Sequence, residues 1–312
     1  MERLAVDIGA SKVAVRQLTS PSDLNGSVGL PRYPDPGKEL FEVLETCCRQ
    51  NWIIGSQELV IISSAAETDN RGVVTNWPNR PHWIGFDLKG FMQSQFKCEC
   101  IIIEDGLSAC FADCLHFNSD ELASLVFGTG IGGAVYKKGR YFQSIGSSVG
   151  LGHFSVGRTD FQKCVCGLED CAQAYCSVGG IISRGGQLSS KWSTIQEFNN
   201  FVESGERDAS RVLHNAVLAA CTLIREIHLS FGTTVFSLSG GLIEAIPKLF
   251  GAIYCNMESE NASVEGVIKI RRSGFPNASL AGVAYLCQHW ELGRVGDEKD
   301  MYFSGVNCPT WN

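Results

Sequence analysis

An α/β fold in two related halves is what this chain predicts, and three observations predict it. Short apolar runs alternate with amphipathic stretches along most of the 312 residues, the mixture expected of sheets covered by helices. A strand–glycine turn–strand pattern opens at residues 4–18 and recurs at 123–142. The length suits two domains or one large α/β domain, and 44% hydrophobic against 19% charged residues is enough for packed cores rather than disorder.

In order, "LAVDIGASKVAVRQL" (4–18) reads as two strands around a glycine turn. Leu40, Val43, Leu44 and Cys47 recur at helical spacing in 38–49. "ELVIISSAA" (58–66) is a buried strand, "FDLKGFMQSQF" (86–96) a helix, and "CIIIED" (100–105) a strand ending in two acids before a helix over 106–115. The polar stretch "FNSDEL" (117–122) marks a domain boundary. Beyond it, Leu213, Val217, Ala220, Ile224 and Ile227 keep a period near 3.6 in a helix over 211–231. "TVFSLSGGLIEAI" is then a strand, a glycine pair and a new helix, and 277–290 is a last helix. The expected division is a smaller N-terminal domain, 1–117, to which a C-terminal helix over 291–312 returns, and a larger domain, 118–290, with a metal-binding loop.

The chain carries 26 Lys and Arg against 33 Asp and Glu, a net charge of −7, with no basic region, so nucleic acid is not the expected main partner. The N-terminus lacks a charged segment followed by an apolar stretch, and no run of about 18 apolar residues appears. A cytoplasmic protein with no membrane partner is expected. Most of the fourteen cysteines lie in apolar runs, where a reduced thiol packs as a small hydrophobe. A disulfide framework fits poorly without a secretory signal.

Five constellations carry chemistry. In "VDIGASK", Asp7 precedes a turn with Gly9, Ser11 and Lys12; such a turn exposes amides to phosphate oxygens, and an acid at the strand end can hold Mg²⁺ through water. A plain hairpin with a surface acid is the alternative. "GTGIGG" supplies Gly128, Thr129, Gly130 and Gly132 but continues as "AVYKKGRYF", so it reads as a β-turn-β phosphate loop or a structural hairpin, not a dinucleotide fingerprint, which needs a helix there. Glu104 and Asp105 end a strand where α/β sheets bind ligands; one can accept a proton, and Asp105 can equally cap the next helix. Gly240 and Gly241 let backbone approach a flat ligand or simply turn strand into helix. Finally, His153, Cys164, Cys166 and Cys171 match a closed Cys₃His zinc site, structural rather than catalytic; Cys-X-X-Cys, which thioredoxin-like chemistry needs, is absent there.

The order of these motifs, with "NWPNRPHW" between the first two and Gly-His–Cys-X-Cys-Gly–Cys before "SGGL", resembles the ROK (repressor, open reading frame, kinase) family from residue 4 to about 290. The resemblance implies a two-domain actin/hexokinase-like ATPase (ribonuclease H-like) fold, ATP with Mg²⁺, a structural Zn²⁺, a sugar-like small-molecule substrate and a homodimer. It implies nucleotide contacts for Asp7, Gly9, Ser11, Lys12, Gly128, Thr129, Gly130, Gly132, Gly240 and Gly241. Asp105 matches the general base that takes the proton of a sugar's primary hydroxyl; Asn79 matches a sugar-contacting asparagine. His153 matches a zinc ligand that also lies against the sugar. The family's repressors carry an N-terminal helix-turn-helix, for which the six residues before Asp7 leave no room, so a kinase is expected rather than a DNA-binding regulator; Asp105 and the two phosphate loops, which a non-catalytic sugar sensor need not keep, favour the kinase over that reading too.

Three departures fall among the substrate-binding positions. Gly150 stands where the family writes Glu before Gly-His, Gln173 where it writes Glu after the last cysteine, and Glu104 where it writes Asn before the base. Loss of two hydroxyl acceptors weakens recognition of glucose or an N-acetylated hexose. The acid gained at 104 suits a substrate ammonium or an extra hydroxyl. The expected substrate is an amino sugar, such as kanosamine phosphorylated at its 6-hydroxyl, or a cyclitol; an ordinary hexose is the alternative.

Overall fold

A computed structural model describes residues 2–18, 26–29, 36–48, 57–137, 140–142, 150–157, 162–188, 191–261 and 268–289. The chain forms two compact units, Met1–Leu115 with Ala278–Asn312, and His116–Asn277.

The first unit is built on a five-stranded sheet. Strands β1 (Glu2–Ile8), β2 (Lys12–Gln17) and β3 (Gly26–Gly29) form an antiparallel meander, followed by α1 (Pro36–Cys48) and β4 (Gln57–Ser64). A small ribbon of β5 (Glu67–Thr68) and β6 (Val74–Asn76) leads to α2 (Leu88–Phe96), β7 (Glu99–Glu104) and α3 (Asp105–Phe117). The order is β3-β2-β1-β4-β7, with β1, β4 and β7 parallel. Central β4 reads as a continuous apolar run because both its faces are covered. Leu40, Val43 and Leu44 turn one stripe of α1 into the core. In α2, Asp87 caps the first turn by accepting from the Gly90 amide, and Leu88, Met92 and Phe96 are buried at a spacing of four.

The last helix, Ala278–His289, belongs to this unit and not to the second domain, where the sequence places it. It packs on β1 and β4, and the Cys287 thiol donates to the Leu4 carbonyl at 3.3 Å. Periodicity identifies a helix but does not say which sheet it covers. The helix expected over 291–312 lies outside the described residues.

The second unit repeats the plan. Strands β8 (Glu121–Phe127), β9 (Ile131–Lys137) and β10 (Arg140–Phe142) form a meander; α4 (Ala172–Cys176), α5 (Val178–Gln187), α6 (Ile195–Glu203) and α7 (Arg207–Phe231) precede β11 (Val235–Ser239), α8 (Gly241–Ala245), α9 (Pro247–Asn261) and β12 (Lys269–Arg272). The order β10-β9-β8-β11-β12 has the same pairing directions as the first sheet, so the recurring strand–glycine–strand signal marks two copies of one topology. Of the described helices, α7 alone is long and apolar enough to cross a membrane, but half its apolar window is buried here, and it packs against α4, α6 and α9. Gly232, at φ 64°, ends it in the left-handed conformation.

Candidate active site

In the first unit the parallel register gathers acids at one edge of the sheet. Asp7 pairs with Ser63, and Ser64 with Glu104, so the carboxyl ends of β1, β4 and β7 carry Asp7 and Ser63 on one face of the sheet and Ser64 and Glu104 on the other. This is the edge where α/β sheets bind ligands. Asp7 is 5% exposed, and its Oδ1 accepts from the Ser63 hydroxyl at 2.8 Å. Asp105 opens α3, and its Oδ1 accepts from the Gly106 amide at 2.7 Å. Burial, then the Asp7 carboxylate and more weakly Glu104, raise the Asp105 carboxyl from an ordinary 3.8 to about 7. That is the range in which a carboxylate serves as a general base at neutral pH. Two mutually repelling acids also fit a divalent cation, which would relieve the repulsion.

The first glycine turn is tight: the Gly9 amide donates to the Lys12 carbonyl at 2.9 Å, and Ser11 and Lys12 are exposed at its tip. Asn79 is exposed in the turn between Trp77 and Arg80, just before a single 3₁₀ turn at Pro81–Trp83. Glu104 is exposed at the end of β7.

In the second unit the same sheet edge carries glycines. Gly128, Thr129 and Gly130 link β8 to β9, closed by the Gly128 amide donating to the Gly130 carbonyl at 2.8 Å. Gly132 follows in β9. The start of α5 anchors the loop: the amides of Val178 and Gly179 donate to the carbonyls of Gly128 and Thr129 at 2.9 and 3.2 Å. Gly240, at φ 102°, lies against the Phe127 carbonyl, where a Cβ would collide; Gly241 faces open space. Both glycine segments therefore leave the carboxyl ends of a parallel strand pair, β8 and β11.

The Cys/His cluster is assembled by backbone. The Cys164 amide donates to the Leu168 carbonyl at 2.9 Å, Gly167 turns the knuckle at φ 88°, and Ser155 bridges to Cys171. A ring nitrogen of His153 and the Sγ atoms of Cys164, Cys166 and Cys171 are then all within 4.8 Å of one another. His153 Nδ1 lies 3.4 Å from Cys164 Sγ, and Cys166 Sγ 3.7 Å from Cys171 Sγ. A tetrahedral ion with bonds of about 2.3 Å to sulfur and 2.0–2.1 Å to nitrogen requires ligand separations of about 3.5–3.8 Å; these two separations are close to that, and the cluster is of the size that could hold one ion. Burial lowers the imidazole's basicity, leaving it neutral as a ligand must be, and raises the Cys164 and Cys171 thiols, which a cation would reverse.

The cluster reaches the glycine loop through Gln173. Its Oε1 accepts from the Ile131 amide at 2.9 Å, and its Nε2 lies 3.9 Å from Cys164 Sγ. The sequence assigns Gln173 to substrate; here its amide is engaged within the unit, directly behind Gly130. Gly150 is exposed, and a Cβ there would meet nothing within 4 Å among the described residues.

The sequence reading missed Ser63, Glu39 and Arg80. Arg80 Nη1 pairs with Glu39 Oε1 at 2.6 Å in a nearly fully buried bridge. The buried tryptophans flanking Arg80 were its only local signal.

A pair of similar sheets, each with a glycine turn after its first strand, defines the architecture shared by hexokinase-like ATPases. The sequence model of the ROK family matches residues 3–289, and the chain belongs to that family. It is 25% identical over 254 residues to a kanosamine kinase of Amycolatopsis mediterranei (strain S699), covering 80% of this chain and 84% of that protein. It is 22% identical over 250 residues to an N-acetylmannosamine kinase of Yersinia pestis (strain Pestoides F), covering 79% and 85%. A ROK family glucokinase from Streptomyces griseus, solved with glucose and AMPPNP, superimposes with a TM-score of 0.72 at 18% identity, covering 93% of this chain and all of that one.

Proposed function

We propose that this protein is an ATP-dependent kinase that phosphorylates the primary hydroxyl of an amino sugar or a cyclitol. The observation that carries the reading is the Asp105 carboxyl, raised to about 7 beside Asp7 at the ligand-binding edge of its sheet. Asp105 takes the hydroxyl proton as the oxygen attacks the γ-phosphorus; the bond to the departing ADP breaks, and ADP carries away the electron pair. The glycine turns at Gly9–Lys12 and Gly128–Gly130 present backbone to phosphate oxygens, and Gly240–Gly241 to the nucleoside. Asn79 and His153 orient the acceptor. Mg²⁺, held through Asp7, would supply charge neutralisation on the phosphates. Zn²⁺ in the Cys₃His cluster would be structural, with no open position.

Three features support an amino sugar or cyclitol over glucose: glycine at 150, an internally engaged amide at 173, and an exposed carboxylate at 104 beside the base. The likeness to a kanosamine kinase supports the same reading. The likeness to an N-acetylmannosamine kinase supports, as a second reading, an ordinary hexose kinase.

ADP release with a panel of hexoses, amino sugars and cyclitols tests this, with Glu104→Asn alongside. Amino sugars or cyclitols are expected to exceed glucose in kcat/KM, and Glu104→Asn is expected to reduce the amino sugar's advantage by about tenfold, the loss of one charge-assisted contact. Faster turnover of glucose than of every other acceptor sinks the substrate assignment. No ADP release with any of them sinks the kinase.

A further inference from the structure

We propose that Arg80, held by Glu39, is a positioning residue that locks the first glycine turn to the Asn79 turn; its catalytic consequence rests on the kinase reading. Three segments far apart in sequence meet at this one guanidinium. Nη1 binds Glu39 Oε1 of α1 at 2.6 Å, and Nε donates to the Ala10 carbonyl, inside the glycine turn, at 3.1 Å. The Arg80 backbone belongs to the third segment: its amide donates to the Trp77 carbonyl at 2.9 Å, and its carbonyl accepts from the Trp83 amide at 3.0 Å. Asn79 lies inside that turn.

The surroundings leave the guanidinium little freedom. Arg80 is 4% exposed and Glu39 fully buried. The guanidinium carbon stands 5.8 Å from the Trp77 ring centroid, and Trp83 packs edge-on to Trp77 at 4.9 Å. Glu39 Oε2 is buried without a hydrogen-bond partner, with His82 Nε2 3.9 Å away.

Stability alone is a weak reason for such a pair. Removing two charges from water costs about what their attraction returns, and apolar residues of similar size often serve as well. What an apolar pair does not supply is a directed donor on the Ala10 carbonyl. A planar fork that grips a carboxylate with one nitrogen and a backbone oxygen with another fixes the turn's position as well as its existence. The proposed phosphate-contacting turn and the proposed acceptor-contacting asparagine thus share one anchor. Misplacement of reacting groups by about 1 Å can cost a hundredfold in rate.

The test removes the anchor without stranding a charge. Glu39→Gln/Arg80→Met takes away both charges and is expected to fold with an unchanged circular dichroism spectrum. Its kcat should fall between about tenfold and a hundredfold, with KM for ATP and for the acceptor rising together. Hydrogen exchange at the Gly9 amide should accelerate while that of β4 stays unchanged. Arg80→Lys, which keeps the charge opposite Glu39 but lacks the fork, should show the same loss and serves as the readout if the double variant does not fold. Wild-type kcat together with wild-type exchange at Gly9 in either folded variant overturns the proposal. If the unmodified protein releases no ADP with any acceptor, the kinase reading has failed; the exchange rate at Gly9 still decides the anchor.

Discussion

The Gln173 carboxamide accepts a hydrogen bond from the Ile131 amide at 2.9 Å, and its oxygen lies 2.7 Å from where a Cβ on Gly130 would stand. One side chain thus joins the first turn of α4, which begins just after Cys171, to the strand that leaves the second glycine turn. A carboxylate can accept the same bond, so Gln173→Glu keeps this geometry while adding charge. Gly150→Glu has open space to occupy. The double variant places at both positions the acids that the family resemblance leads one to expect. It is expected to raise kcat/KM for glucose by about tenfold or more and to lower that for the native acceptor, as a site regains hydroxyl acceptors. Parallel assays on both substrates check it; an unchanged ratio means these positions do not set specificity.

The Asp105 carboxyl sets two pH dependences of opposite sense. As the proposed general base it must be ionised, so kcat/KM for a neutral acceptor should climb with pH through an inflection near 7. For stability the sign reverses. A carboxyl raised from 3.8 to about 7 binds its proton more tightly in the folded state, so it favours folding below that window and ceases to as pH rises through it. Asp105→Asn should therefore abolish transfer yet melt higher than the native protein at pH 8 without Mg²⁺, the gap closing toward pH 4. Melting curves across that range decide it. An Asp105→Asn protein that melts no higher at pH 8 would contradict the burial and repulsion seen around this carboxyl.

Much of this arrangement is readable from local sequence because local chemistry dictates it. Alternation around Gly9 specifies a strand, a tight turn and a strand, and the same logic holds around Gly128–Gly132. The spacing of His153 and the three cysteines points to the cluster that the fold brings together. Other features depend on tertiary partners. The sequence reading places no element over 172–203, where α4, α5 and α6 are short and α5 carries glycines at 179, 180, 185 and 186. Glu39 sits in the first turn of an amphipathic helix, where an acid reads as a partner for the helix dipole. Nothing local ties it to Arg80, 41 residues on. Gln173 is expected from its sequence place to face substrate, yet its oxygen accepts from a backbone amide of β9, a partner that only strand register could reveal.

The Cys/His cluster yields the last prediction. Cys171 is 1% exposed and bridges to Ser155, and Ala172, next in sequence, donates to the Phe154 carbonyl at 2.9 Å. Cys166 lies at the exposed edge. An ion binding all four ligands therefore fixes the backbone on both sides of the knuckle and, two residues on, the Gln173 amide against the glycine loop. Elemental analysis is expected to find one zinc per chain, with an X-ray absorption signature of three sulfurs and one nitrogen. Cys171→Ser should lose the metal, lower the melting temperature and reduce kcat, because Gln173 no longer backs Gly130. Cys166→Ser, at the edge, should weaken zinc binding with a smaller loss of rate. Acidification should release the metal as the thiolates and His153 take up protons. A metal-free protein that keeps both its melting temperature and its kcat would show that the four side chains pack as three buried thiols and an imidazole, with no ion among them.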